Sequence, residues 1–176
     1  MGYWNSRGLR GSALENIINL TNDVYRRKNL AIIQKVPTPI TPVKFDKETK
    51  NITLAYFEKK STVDYIGVVQ GVAVCFDVKE TKLKNLPLQN IHKHQVEFME
   101  SFVAQQGMAF LVVYFSKYDE YYYLPFAQLK EHLNKSQKGA KKHIPYEDFD
   151  KELLITVKDG FYVHYLEVLA KVAADS

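Results

Sequence analysis

The sequence predicts a mixed α/β layer fold, a β-sheet flanked by helices with one β-hairpin protruding from it. Apolar residues at helical spacing near both ends of the chain, and strand-like apolar runs at residues 62–79 and 108–115 between them, carry that prediction. The hairpin follows from a proline-rich break at Pro37, Pro39 and Pro42 and two short alternating runs behind it. With 176 residues, 46% of them apolar and 13% aromatic, the chain is expected to form one domain, residues 1–176, around a real core.

Taken in order, Ser12-Ala13-Leu14-Glu15 has the form of a capping box and predicts the start of a first helix. Leu14, Ile17, Ile18, Thr21, Val24 and Tyr25 continue it at helical spacing. Residues 30–36 read as a strand. Val43 and Phe45 alternate before a polar turn at residues 47–51, and Ile52, Leu54 and Tyr56 alternate after it, so residues 37–60 form the projection. Residues 88–106 predict a helix with Ile91, Met99, Phe102 and Val103 inward and Gly107 at its end. Residues 108–115 and 120–124 pair as strands across a Lys117-Tyr118-Asp119 turn, with Tyr121, Tyr122 and Tyr123 as packing residues. A short helix at 126–133, a solvated basic loop at 134–143 and a last helix at 163–174 complete the chain.

The single cysteine, Cys75, lies in an apolar run as a core residue, which excludes a disulfide framework and fits a reducing, cytoplasmic setting. No apolar stretch has the length of a membrane span, and the first residues lack a signal-peptide core. Residues 1–6 fit the loose myristoylation pattern, which is short enough to arise by chance. A formal charge of +4 permits a polyanionic partner without requiring one.

The stretch TVDYIGVVQGVAVCFDVKETK, residues 62–82, raises a chemical question, because Asp64 and Asp77 interrupt a run otherwise fit for a core. A two-residue turn at Gln70-Gly71 sets the register of a hairpin in which Val69 faces Val72. Asp64 then opposes Asp77 and Thr62 opposes Lys79, all four on one face, with Val63, Tyr65, Val74, Phe76 and Val78 on the core face. Two carboxylates about 5 Å apart repel by roughly 3 kcal/mol at an effective dielectric of about 20. A divalent cation such as Mg²⁺ reverses that sign, and Lys79 would then face a phosphate on the metal, a layout suited to phosphodiester hydrolysis. The alternative is a solvated strand end where Lys79 is an ordinary ion-pair partner. Both readings fit these residues.

An acidic residue one spacer before a lysine, a strand after an aspartate, resembles the core of the PD-(D/E)XK nucleases. The words KVPTPI, AYFEKKSTVDYIGV, FDVKETK, PLQNIHKHQVEFM and YLEVLAKV, in that order along nearly the whole chain, resemble the RecU family of Holliday junction resolvases. The resemblance implies a restriction-endonuclease-like fold, a homodimer, and Mg²⁺-dependent paired nicking of four-way DNA junctions in recombination and repair, with Mn²⁺ as a substitute metal. It implies Thr62, Asp64, Asp77 and Gln95 as the metal site, Lys79 as the transition-state stabiliser, and Glu15 as a catalytic acidic residue of the first helix. The projection at 37–60 resembles the family's stalk, which enters the junction centre. A recombinase or branch-migration machinery is a further partner in that context. Two departures stand out: the family usually has Glu where Asp77 stands, and little precedes Arg10 where the family has a basic arm.

Arg7, Arg10, Arg26, Arg27, Lys28, Lys59, Lys60, Lys82, Lys84 and Lys93 flank these residues in sequence and are the expected phosphate contacts. His92 and His94 are expected to face solvent or DNA, since no histidine has zinc-like spacing. Two other functions fit the same residues: a general duplex nuclease, and a non-catalytic junction-binding or recombinase-modulating protein.

Overall fold

The computed structural model describes residues 7–57, 62–158 and 160–174, with side chains from residue 13 onward in the first segment and up to residue 56. Helix α1 (Arg7–Arg27) buries Leu14, Ile18 and Tyr25 along one stripe. It is already helical at Arg7, so Ser12 and Glu15 lie inside it and their spacing does not mark a helix start. Burial of the apolar stripe outweighs the poor helix propensity of Gly8 and Gly11.

Strand β1 (Ile32–Lys35) leads to the hairpin β2 (Ile40–Phe45) and β3 (Ile52–Phe57), a separate two-stranded sheet. Val43, Phe45, Ile52, Leu54 and Tyr56 are all about half exposed there, as a projection requires. Lys59 and Lys60, at its return, lie outside the described residues, as does the pattern at residues 1–6.

Strands β4 (Tyr65–Val69) and β5 (Val72–Thr81) pair in the register that the Gln70-Gly71 turn predicts, from Tyr65 opposite Phe76 to Val69 opposite Val72. Gln70 and Gly71 both have positive φ, 45° and 93°, the backbone of a type I′ turn. Next come β6 (Asn85–Pro87), a 3₁₀ turn (Leu88–Asn90), α2 (Lys93–Ala104), β7 (Met108–Phe115) and β8 (Glu120–Pro125). Helix α3 (Phe126–Gln137), β9 (His143–Pro145), β10 (Leu154–Ile155) and α4 (Tyr165–Ala174) follow.

The central sheet has six strands in the order β1-β4-β5-β7-β8-β10, mixed because β5 and β7 run parallel while the other pairs are antiparallel. Its two faces are both covered. Leu14, Ile18 and Tyr25 of α1 and Tyr165, Val168 and Leu169 of α4 pack on Tyr65, Val74, Phe76 and Phe110. Met99 of α2 and Phe126 and Leu129 of α3 pack on Cys75, Leu111 and Val113. The core is therefore not confined to one face of the β4–β5 hairpin, as alternation alone predicts. Val63 also departs: it joins the Cys75 side, because residues 62–64 precede β4 and have left the pleat.

The predicted helix at 88–106 starts only at Lys93. Residues 85–87 are instead held as β6 against β9, and Ile91 is extended at φ −105°, ψ 112°. Val103 is 41% exposed rather than inward. Helix α3 runs four residues past its expected end, supported by an ion pair of Lys135 with Glu131, and stops before Gly139 at φ 96°. The tyrosines of β8 pack as expected, Tyr121 stacking on Tyr114 and Tyr123 on Phe110, each at 4.3 Å between ring centroids.

Two predictions arise from this packing. A Cβ on Gly67 would lie 2.2 Å from the backbone oxygen of Ile32. Gly67→Ala is therefore expected to destabilise the fold by about 2 kcal/mol in urea unfolding, through overpacking against β1. Burial, and then the nearby Asp77, push the Cys75 thiol up to about 12. The native protein is expected to resist thiol-reactive dyes at pH 8 and to react fully once unfolded.

Candidate active site

The ladder of β4 and β5 continues one step beyond its last backbone pair through side chains. The Asp64 backbone N–H donates to Asp77 Oδ1 at 2.8 Å, and Val78 N–H donates to Asp64 Oδ2 at 3.0 Å. The two carboxylates are thus locked to each other's strand. Thr62 is half-buried two residues earlier, outside the ladder, so the expected strand pairing with Lys79 does not form.

Asp77 is fully buried, with a side-chain exposure of 0%. A buried carboxylate needs partners for its charge. Lys79 Nζ approaches Asp77 Oδ2 at 2.7 Å, and Gln95 Nε2 donates to the same oxygen. Gln95 reaches it from the first turn of α2, where its Oε1 accepts from the His92 backbone N–H at 3.0 Å and from Lys79 Nζ at 3.3 Å. One amide therefore caps the helix and braces both the aspartate and the lysine. Asp77, one methylene shorter than glutamate, still meets all of these partners.

Asp64 sits differently. Burial, the like charge of Asp77 and that of Glu15 raise its carboxyl to about 6, against the opposing pull of the Val78 N–H and Lys79. Its Oδ1 accepts no hydrogen bond among the described residues. Glu15 stands close enough to add to this repulsion, and its own carboxylate is bonded by Lys35 of β1. Tyr65 fixes that side of the site, its hydroxyl donating to the Glu15 backbone oxygen at 3.2 Å and to Asn19 Oδ1 at 2.9 Å. Burial and the carboxylates of Glu15 and Asp64 raise the Tyr65 hydroxyl as well.

Asp64, Asp77, Lys79, Gln95 and, through Asp64, Glu15 are thus brought together. Lys35 and the Tyr65–Asn19 brace are additions that no local pattern marks. The basic residues divide. Lys82 and Lys84 are exposed just beyond β5, and Lys93, 90% exposed and paired with Glu97 at 3.1 Å, lies two residues before Gln95. Arg26 and Arg27 end α1, eleven and twelve residues past Glu15 or about 17 to 18 Å along the axis, so flanking in sequence does not bring them to the carboxylates. Lys28 lies 4.6 Å over the Phe161 ring. The side chains of Arg7 and Arg10, like Lys59 and Lys60, lie outside the described residues. His92 is exposed and stacks on the half-buried His94 at 5.5 Å.

Among the described residues no three His, Cys, Asp or Glu side chains form a metal-holding group. The candidate donors are two carboxylates with the amide of Gln95 and the hydroxyl of Thr62. All are hard oxygen donors, the kind that suits Mg²⁺ or Mn²⁺ rather than a thiophilic metal. The free Asp64 Oδ1 and the excess negative charge of Asp64, Asp77 and Glu15 fit a divalent cation.

A mixed sheet between helical layers, with a carboxylate and a lysine on β5 and a second carboxylate just before β4, defines a nuclease-like α/β protein. The sequence profile of RecU, recombination protein U, matches residues 9–171, and the chain belongs to the RecU family. A protein of Oenococcus oeni called Holliday junction resolvase RecU is 40% identical over 169 residues, covering 93% of this chain and 86% of its own length. A protein of the same name from Leuconostoc citreum is 43% identical over 149 residues, 82% of this chain and 72% of its own. One from Geobacillus kaustophilus is 40% identical over 146 residues, 81% and 73% of the two chains.

Proposed function

We propose that this chain is a divalent-metal-dependent endonuclease that resolves four-way DNA junctions by paired symmetric nicking; its relatives are named Holliday junction resolvases. The observation that supports it most is the joint placement of Asp64, Asp77, Lys79 and Gln95 in a chain of the RecU family. A Mg²⁺ or Mn²⁺ ion held by Asp64 and Asp77, with Gln95 and Thr62 as further oxygen donors, would supply a nucleophile at neutral pH and charge for the scissile phosphate. Lys79, 15% exposed at the rim of the buried pair, would donate to the phosphate oxygen on which charge develops in the transition state. Without the metal the same Gln95 oxygen holds that ammonium, and Glu15 with Lys35 would set the field beside Asp64.

Residues 1–176 would act as one nuclease domain, with the hairpin at 37–60 as an insertion that fills the junction centre. A C₂ homodimer with one site per subunit would give two symmetric cuts. Recombination in the cytoplasm, beside a recombinase or branch-migration machinery, is the setting that follows. Among the described residues no helix is long and apolar enough to cross a membrane.

The experiment is cleavage of a labelled four-way junction beside a linear duplex of the same sequence, with Mg²⁺, Mn²⁺ or EDTA. Symmetric nicks in the junction alone, lost in EDTA, are expected. Equal cutting of both DNAs would indicate a general nuclease, and tight junction binding with no cut in either metal a non-catalytic binder.

A further inference from the structure

We propose that the ribbon of β6 and β9, with the loop at 138–142 that enters it, is a platform for the phosphates of a duplex arm. Lys138, Lys141 and Lys142 act there together with Lys82 and Lys84. The inference rests on the junction-resolving reading and adds where the DNA beyond the scissile phosphate lies.

The ribbon joins basic segments that are far apart in the chain. Asn85 pairs with Pro145 and Pro87 with His143, so one short ribbon carries residues 82–84 at one end and 138–142 at the other. The Lys142 carbonyl accepts from Leu88 N–H at 3.1 Å, and the Lys84 carbonyl from Tyr146 N–H at 3.0 Å. Leu86, 0% exposed, and Ile144, 1% exposed, anchor the ribbon in the core on the Cys75 side of the sheet, the side that carries Asp77 and Lys79. Flexible lysines thus stand on a fixed base.

Their charge is uncommitted. Lys82, Lys84, Lys138, Lys141 and Lys142 are all exposed, and none makes an ion pair among the described residues. Lys35, Lys93, Lys130, Lys135, Lys151 and Lys158 are each paired with a glutamate. The exposed acids Glu147 and Asp148 follow Tyr146, at the Lys84 end, which leaves the Lys142 end the more positive.

The spacing suits a duplex. Lys84 and Lys142 stand at opposite ends of the ribbon, about 13 Å apart at about 3.3 Å per residue, the rise of about four base pairs. Lys82 is three residues past Lys79, about 10 Å along an extended chain. The other end of the ribbon leads through Leu88 and His92 to Gln95, so both ends connect to site residues over short stretches of chain. Ammonium groups in such a row bind phosphates as point charges and read no bases.

The test is binding of a labelled four-way junction in EDTA across a salt series. The variant K138Q/K141Q/K142Q is expected to lose about tenfold or more in affinity, and its slope of log affinity on log salt to shrink by about 2 to 3. K138R/K141R/K142R, which keeps the charge, should bind as the parent does. K130Q/K135Q/K171Q, with the same charge loss on α3 and α4, should stay within twofold. Parent-like affinity and slope in the first variant, or an equal loss in the first and third, would overturn the platform. A parent protein that neither binds nor nicks junctions overturns the functional reading itself, and the platform with it.

Discussion

Asp64→Asn is expected to slow junction nicking by about a thousandfold or more while leaving junction binding intact, the signature of a group needed only for the chemical step. The same substitution should make the metal-free protein more stable. Burial and the neighbouring carboxylates raise the Asp64 carboxyl to about 6, from 3.8 in the unfolded chain, so folding penalises its ionised form. The penalty is fully present above about pH 6, falls as the pH drops from about 6 to about 4, and vanishes where both states are protonated. At pH 7.5 in EDTA the gain on neutralising this residue is about 3 kcal/mol, or about 6 to 12 °C in Tm. Asn keeps an oxygen for the Val78 N–H, so that bond does not confuse the comparison. Thermal melts in EDTA at pH 7.5 and at pH 4.5 measure both parts, and the advantage of Asn should shrink at the lower pH. A variant less stable than the parent at both pH values would show that Asp64 holds the fold rather than straining it.

Lys79→Met should lose nicking to a similar degree but move stability the opposite way. Lys79 is the cation bonded to the fully buried Asp77. Its removal leaves that charge to the Gln95 amide and the Asp64 N–H alone, a loss of about 3 to 5 kcal/mol for a broken buried pair. Two controls separate charge from packing. Adding Asp77→Asn to Lys79→Met should restore most of the lost stability, because the uncompensated carboxylate is gone. Mg²⁺ should raise the Tm of Lys79→Met more than that of the parent, since a cation near Asp77 then replaces the missing ammonium. Equal melting of Lys79→Met and the parent in EDTA would show that the lysine contributes little to holding the pair.

Much of the site was legible because the β4–β5 hairpin is local. A Gln-Gly turn with flanking alternation sets the register, and the register alone brings Asp64 and Asp77 together. What lay beyond the hairpin was less so. The second covered face was masked by Asp64 and Asp77, whose polarity suggested solvent where α2 in fact packs against Asp77. The β6–β9 ribbon has three residues per strand and joins Asn85 to Pro145, too short for periodicity and too distant for a turn signal, so its first strand read as the approach to a helix. The pairing of Glu15 with Lys35 is likewise non-local, and the apparent capping box around Glu15 does not form because α1 begins at Arg7. Gln95 was found only through the resemblance, because an amide in the first turn of a helix has no chemical signature of its own.

The Gln95 side chain has a consequence for how this protein can change over generations. A single amide closes the first turn of α2 and grips the groups proposed to cut DNA. Selection for a stable helix and selection for activity therefore fall on the same few atoms, and neither can be relaxed while the other holds. A change at this position has to keep partners for the His92 N–H, Asp77 and Lys79 at once, whereas an exposed lysine nearby can be exchanged without disturbing them.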